Sequence, residues 1–376
     1  MAEETGVAQG PQHLKNLIES DIVRRCMVGE RLLDVGIGTG RVSLPLAAGG
    51  IRLTGIDASA AMIERCAADP RASGVRLVPG ELEQLPFAAE AFDTVISIDT
   101  FVHFADWEAN LDELMRVTRF GGRTIVDVGS RDHIDAVAVS RGCVPHEIRA
   151  MELGDPDAFV LRLAQAELRA YAVERDVCLA ALIPYGAVLG GLVPNYWLSD
   201  SYAVRGGGID RLVSWLGADP LLFAFAEFIE RRIVQQLPPS MCGRMFAVFE
   251  RQPASGAYGD TRVTDVAACD ERGPAAWHAE LRAHLQHEAN RSFAITFLLA
   301  ARAAGLSEFA RAALPELLLR DLERAEHAMQ IDDACAGLAA AWRSRTDELT
   351  FHGVDLAPVF ARSVQREVRG RCEPAG

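Results

Sequence analysis

No two cysteines in this chain are spaced C-x-x-C, and its eight cysteines (26, 66, 143, 178, 242, 269, 335 and 372) are scattered along the whole length. That scatter argues against a zinc site or a disulfide frame, so reduced thiols in a cytoplasmic protein are expected. Basic residues are also short. Thirty-eight Lys and Arg stand against 52 Asp and Glu, a formal net charge of −14. An acidic chain is a poor match for a polyanion, which disfavours DNA and RNA as partners. No G-x-x-x-x-G-K-[S/T] phosphate loop occurs, and no internal repeat. The N-terminal residues include Glu3 and Glu4 and lack an apolar signal core. The longest uncharged run, from residue 177 up to Asp200, carries Pro184, Pro194 and three glycines. It reads as a buried or pocket-lining segment, and no membrane span is expected.

What is present is concentrated in residues 32–47, LLDVGIGTGRVSLPLA. An apolar strand runs into a glycine-rich turn, Gly36-Ile37-Gly38-Thr39-Gly40, and a helix follows at once. Glycines there permit φ > 0 and let a ligand approach the backbone without meeting a Cβ. The helix presents free N–H groups and a positive dipole end. A second strand, 51–56, ends at Asp57, 21 residues after Gly36. A carboxylate at that distance can accept both hydroxyls of a ribose. A dinucleotide fingerprint would want its third glycine at position 41, where this chain has Arg41. Its side chain would obstruct a pyrophosphate loop, so a nucleoside cofactor without phosphates suits the turn better.

Further landmarks follow in order. They are Gly80-Glu81-Leu82-Glu83-Gln84-Leu85-Pro86-Phe87, then residues 92–98 (FDTVISI), then His103-Phe104, then Arg116-Val117 with Gly121-Gly122-Arg123-Thr124-Ile125-Val126. With the glycine turn and Asp57, these resemble the class I S-adenosylmethionine-dependent methyltransferases over about residues 12–130, with a weaker echo at 209–251. The resemblance implies an α/β fold: a Rossmann-like, seven-stranded, mostly parallel sheet with helices on both faces. It also implies S-adenosylmethionine as cofactor and S-adenosylhomocysteine as product. The cofactor would lie on Asp34, Gly36, Gly38, Gly40, Asp57, Ala58, Met62, Glu81, Leu82 and Ile98. Three positions depart from the family pattern: Ile37 stands where cysteine is common, Glu81 where aspartate is usual, and Phe120 replaces a proline, loosening the turn before Gly121.

Strand–helix alternation from 31 to 130 predicts a parallel sheet covered on both faces. Residues 131–208 are too long for one crossover and read as a helical insertion after strand 5 that roofs the substrate, with a helix at 156–175. Residues 244–251 look like the strand that closes the sheet. The methyltransferase domain would thus span 1–253. Residues 254–260 form a linker by their Pro, Gly and Ser content. Residues 261–376 read as an all-α C-terminal domain, through which a homodimer is expected.

For chemistry, His103 follows the fourth strand and is either a structural histidine or a proton acceptor for a hydroxyl or amine. His133, beside Asp132, is a second acid–base candidate. Asp99 borders the same cleft and could recognise an amine. Tyr196, Trp197 and Tyr202 cluster in the expected roof, either as an aromatic wall for the substrate or as packing. His278, His284 and His287 do not share one helical face, so no metal is expected. The acceptor is expected to be a small molecule, of natural-product type, with its receiving atom open. A polypeptide acceptor docked by the C-terminal helices is the rival reading, as is cofactor binding without transfer.

Overall fold

Strands buried on both faces need helices above and below them, and the chain supplies these in alternation. The computed structural model describes residues 11–141, 160–186, 220–232, 234–236 and 239–252, with 280, 283, 284, 286, 287, 290, 350, 351, 354 and 355. Helix α1 (Pro11–Cys26) leads into β1 (Arg31–Val35), α2 (Leu44–Ala47), β2 (Arg52–Asp57), α3 (Ala60–Ala67) and β3 (Arg76–Pro79). Then come β4 (Phe92–Ser97), α4 (Trp107–Val117), β5 (Thr118–Ser130) and α5 (Arg131–Arg141). The sheet order is β3-β2-β1-β4-β5, all parallel, so the chain reverses its direction of winding between β1 and β4. Every residue of β4 is buried, as a central parallel strand requires.

The sheet then continues with strands from far along the chain. A short β6 (Arg162–Leu163) pairs with the end of β5, followed by α6 (Gln165–Glu174) and β7 (Cys178–Tyr185). Strand β8 (Arg244–Glu250) runs antiparallel between β5 and β7. The sheet therefore has eight strands rather than seven. The expected insertion is corrected here: within 131–208 the chain returns to the sheet twice, and the first part of the uncharged run is β7. An apolar run of that length fits a buried strand as well as a pocket wall, and only its partner β8 decides. The helix expected at 156–175 begins at Gln165, because Leu161–Leu163 lie extended against Gly129 and Ser130 of β5.

The turn before Gly121 is not loose. Gly121 donates to the Arg251 carbonyl at 2.6 Å, Arg251 donates back to Gly122 at 3.0 Å, and the Arg251 guanidinium lies 4.4 Å from the Phe120 ring centre.

The chain divides into two compact units, one made of Gln12–Val193 and Val234–Glu271, the other of Met1–Pro11, Pro194–Ile233 and Arg272–Gly376. The first holds the eight-stranded sheet. In the second, α7 (Pro220–Arg232) buries Phe223, Phe225, Phe228 and Ile229. The expectation of an all-α C-terminal region is corrected at one point: β9 (Thr350–Phe351) and β10 (Val354–Asp355) pair antiparallel. The expected linker 254–260, and almost all of 261–376, lie outside the described residues. Among the described residues, no helix is long and apolar enough to cross a membrane.

Candidate functional site

The carboxyl ends of β1, β2, β3 and β4 meet where the winding reverses, the place at which open α/β sheets bind ligands. Gly36 and Ile37 leave β1 and donate to the Ile56 carbonyl at 2.8 and 3.0 Å. Gly36, Gly38 and Gly40 have φ of +75°, +55° and +74°. Their surroundings differ. A Cβ on Gly36 would lie 2.1 Å from Thr100 Oγ1, and one on Gly40 would lie 2.4 Å from Leu44 Cγ. These two glycines serve the protein's own packing. A Cβ on Gly38 would meet nothing closer than the Gly36 carbonyl oxygen at 4.0 Å. The loop is open there, and a ligand can lie against its backbone.

Asp57 ends β2 beside that opening. Its Oδ2 accepts the Gly38 N–H and its Oδ1 the Ser59 N–H, both at 2.8 Å. Each oxygen keeps a lone pair for a further donor. Ala58 and Ser59 lead into α3, where the Ser59 side chain caps the Met62 N–H, and Met62 is half-buried. Across from Asp57, Gly80 donates to its carbonyl at 3.1 Å. Leu82 is buried and Glu81 exposed. Asp34 is buried in β1, and burial pushes its carboxyl up to about 6. Ile98, buried, and Asp99 follow β4. Nine of the ten residues named for the cofactor thus lie on four adjacent strand ends or in the loops that leave them, and Met62 lies in the first turn of α3.

Beside this cleft lies an ionic network that sequence reasoning missed. Asp99, at φ +57°, receives Lys15 and Arg41, with Arg244 Nη2 at 2.6 Å from its Oδ1. Burial opposes its charge, but Arg244, Lys15 and Arg41 hold the carboxyl well below the usual range. Asp127 of β5 accepts the Asp99 N–H at 2.7 Å and pairs with Arg244. The Tyr185 hydroxyl lies 3.0 Å from both Asp127 Oδ2 and Glu19 Oε1. Arg41 completes the ring through Glu19 and Asn16. The Asp99 carboxylate, expected to meet an amine, is thus engaged by three of the protein's own cations. One part of it was present in the sequence: Lys15 and Glu19 lie four residues apart and share a helix face. Glu19, Asp99 and Asp127 also lie close enough to share a metal ion, but each already faces a Lys or Arg.

The two histidines part company. His103 is exposed at the end of the single 3-10 turn Phe101–His103 that follows β4. His133 is fully buried at the start of α5, its Nδ1 3.0 Å from the Ser240 carbonyl. That geometry gives His133 a structural post, joining α5 to the turn before β8. Asp132 accepts the Gln165 N–H at 2.9 Å and so caps α6. Tyr196, Trp197 and Tyr202 lie outside the described residues.

Residues 33–126 match the family model described as a methyltransferase domain. Over this quarter of its length the chain is similar to a methyltransferase domain. An uncharacterized protein of Mycobacterium tuberculosis is 36% identical over 125 residues, which cover 33% of this chain and 43% of that protein. The demethylmenaquinone methyltransferase of Clavibacter sepedonicus is 36% identical over 104 residues, covering 27% and 41%. The chain thus spans less than half the length of these curated relatives. Among solved structures, a possible histamine N-methyltransferase of Thermotoga maritima is similar at a TM-score of 0.41 and 16% identity, over 64% of this chain and 92% of that one. The matched segment of the methyltransferase domain takes in the glycine loop, Asp57, the 80–82 loop and β4, the parts that form the cleft.

Proposed function

We propose that this protein transfers a methyl group from S-adenosylmethionine to a small-molecule acceptor, of the kind made in natural-product biosynthesis, in the cytoplasm. The observation that carries the reading is the open backbone at Gly38 beside the Asp57 carboxylate. In this reading Asp57 takes the ribose hydroxyls, while Ala58, Met62, Glu81 and Leu82 enclose the adenine. Asp34, Gly36, Gly38, Gly40 and Ile98 hold the amino-acid end. When bound, the cofactor supplies an electrophilic methyl on a sulfonium.

The protein's share is geometric. It must hold the acceptor atom in line with the S–CH₃ bond and keep water away. An acceptor hydroxyl also needs a proton acceptor, and His103, exposed after β4, is the group proposed for it. Tyr196, Trp197 and Tyr202 are proposed to wall the acceptor, and the C-terminal helices to join two copies. Incubation of the full-length chain with S-adenosylmethionine and a panel of small acceptors tests the reading. A gain of one methyl with matching S-adenosylhomocysteine is expected. Methylated peptide instead would favour the polypeptide reading, and cofactor binding with no methylated product of either kind would favour binding without transfer.

A further inference from the structure

Residues 80–91, between β3 and β4, form neither helix nor strand, so their shape has to be held by other elements. The loop is fixed at its start by the Gly80 N–H, which donates to the Asp57 carbonyl at 3.1 Å. A second fixed point comes from α4. Glu113 Oε1 accepts the Leu85 N–H at 2.7 Å, and Arg116 donates to the carbonyls of Leu85 and Phe87 at 3.1 and 2.9 Å. The two side chains also pair with each other, at 2.6 and 2.8 Å. The Arg116 guanidinium and the Leu85 N–H hold the Glu113 carboxyl below its ordinary value, against burial. Leu85 is buried, so its backbone groups need partners within the protein. An ion pair three residues apart on a helix surface contributes little by itself. This one directs three hydrogen bonds at the backbone of another segment. Between the two fixed points lie only residues 81–84, with Leu82 buried and Glu81 exposed.

We infer that Glu113 and Arg116 are positioning residues for the cofactor's base. Their grip on Leu85 and Phe87 sets the 81–84 turn, and so holds Glu81 and Leu82 in place at the adenine. The inference rests on the methyl-transfer reading, in which those two residues help to enclose the adenine, and adds to it what selects the base. An ionised Glu81 is an acceptor only, so it matches an amino group on the ring and not an oxygen in its place. A turn already shaped before the cofactor arrives loses less conformational entropy on binding. With the grip released, Glu81 is carried on a freer loop, and its hydrogen bond to the base is diluted over many orientations.

The test uses the full chain and two probes, S-adenosylhomocysteine and S-inosylhomocysteine, in which an oxygen replaces the adenine amino group. Calorimetry on the unaltered protein should show the first bound roughly tenfold tighter, the worth of one hydrogen bond to a charged acceptor. Arg116→Met removes the donors and keeps the length of the side chain, while Glu113→Ala removes the acceptor. Both should bring the two affinities within about twofold of each other. Glu113→Gln keeps an oxygen for the Leu85 N–H and should keep the preference. A ratio unchanged in both Arg116→Met and Glu113→Ala makes the pair a brace for the fold alone and overturns the inference. In the unaltered protein without ligand, the Leu85 N–H should exchange slowly with deuterium. Fast exchange there overturns the inference even if neither variant folds. No preference between the probes in the unaltered protein, with S-adenosylhomocysteine bound, overturns it too and leaves the methyl-transfer reading in place. Failure of S-adenosylhomocysteine itself to bind would instead overturn that reading, and the positioning role with it.

Discussion

Gly38 and Asp57 make a claim that two substitutions can check. Asp57 stitches the glycine loop to β2 and faces the open backbone, so Asp57→Ala removes a ribose acceptor and a loop contact together. Losing hydrogen bonds to a charged, partly buried acceptor costs about 1.5–3 kcal/mol, which is roughly a ten- to hundredfold weaker S-adenosylhomocysteine dissociation constant by calorimetry. Gly38→Val should be worse, since it fills the opening and forces a β-branched residue to φ +55°. An unchanged dissociation constant in Asp57→Ala would remove the cofactor from this cleft. Asp34 gives a pH signature. Burial raises its carboxyl to about 6, so below that pH the group is neutral in the free protein. A cationic sulfonium favours the ionised form, and binding at lower pH must expel a proton. Affinity should therefore rise with pH up to about 6 and level off above it, and Asp34→Asn should flatten the profile.

At the scale of elements, one carboxylate fastens three strands. Asp93 of β4 accepts the backbone N–H groups of Glu30 and Arg31 at 3.0 and 2.9 Å, and pairs with the side chains of Arg31 on β1 and Arg119 on β5. Burial opposes its charge, yet Arg31, the two N–H groups and Arg119 hold its carboxyl well below the ordinary range. Asp93→Ala should cost about 1–2 kcal/mol at neutral pH, because it removes the shared acceptor of two backbone N–H groups and of two partly exposed guanidinium groups that water can still reach. Urea denaturation measures this. A carboxyl depressed in the folded state stabilises above its unfolded pKa, so the gap between the two proteins should narrow as pH falls below about 4. A gap that stays constant down to pH 2 would mean that packing, not charge, makes the contact. The same strands mark the limit of reading the chain without its structure. β1, β2, β4 and β5 were legible because central parallel strands are apolar along their length and the loops between them carry glycine. β7 was not, because Cys178–Tyr185 finds its place only against β8, some 60 residues away in sequence. The ionic network was less legible still. Lys15, Glu19, Arg41, Asp99, Asp127, Tyr185 and Arg244 come from six separate segments, and beyond the Lys15–Glu19 pair on α1 nothing local links them.

The molecule as a whole is divided discontinuously, and this bears on what its C-terminal third does. Pro194–Ile233 interrupts the sheet unit and joins Arg272–Gly376 in the other. Its helix α7 buries Phe223, Phe225, Phe228 and Ile229, and the Phe225 and Phe228 rings lie 5.4 and 5.1 Å from the His284 ring. Burial lowers the His284 pKa, opposed by Glu280, as expected for a half-buried imidazole packed beside two phenyl rings. The C-terminal residues therefore complete a core that earlier residues begin. Ending the chain at Glu271 leaves α7 without the partners of its apolar face, and exposed apolar surface of that kind drives association. The shortened chain should bind anilinonaphthalene sulfonate strongly and aggregate during purification. A second deletion that also removes residues 194–233 should be more soluble than the first although it is shorter, because both halves of that core are gone. Size-exclusion chromatography with light scattering on the two proteins measures the difference. If the chain ending at Glu271 stays monodisperse and binds S-adenosylhomocysteine as the full chain does, α7 needs no C-terminal partner. Residues 272–376 would then be an independent module on a self-sufficient methyltransferase domain.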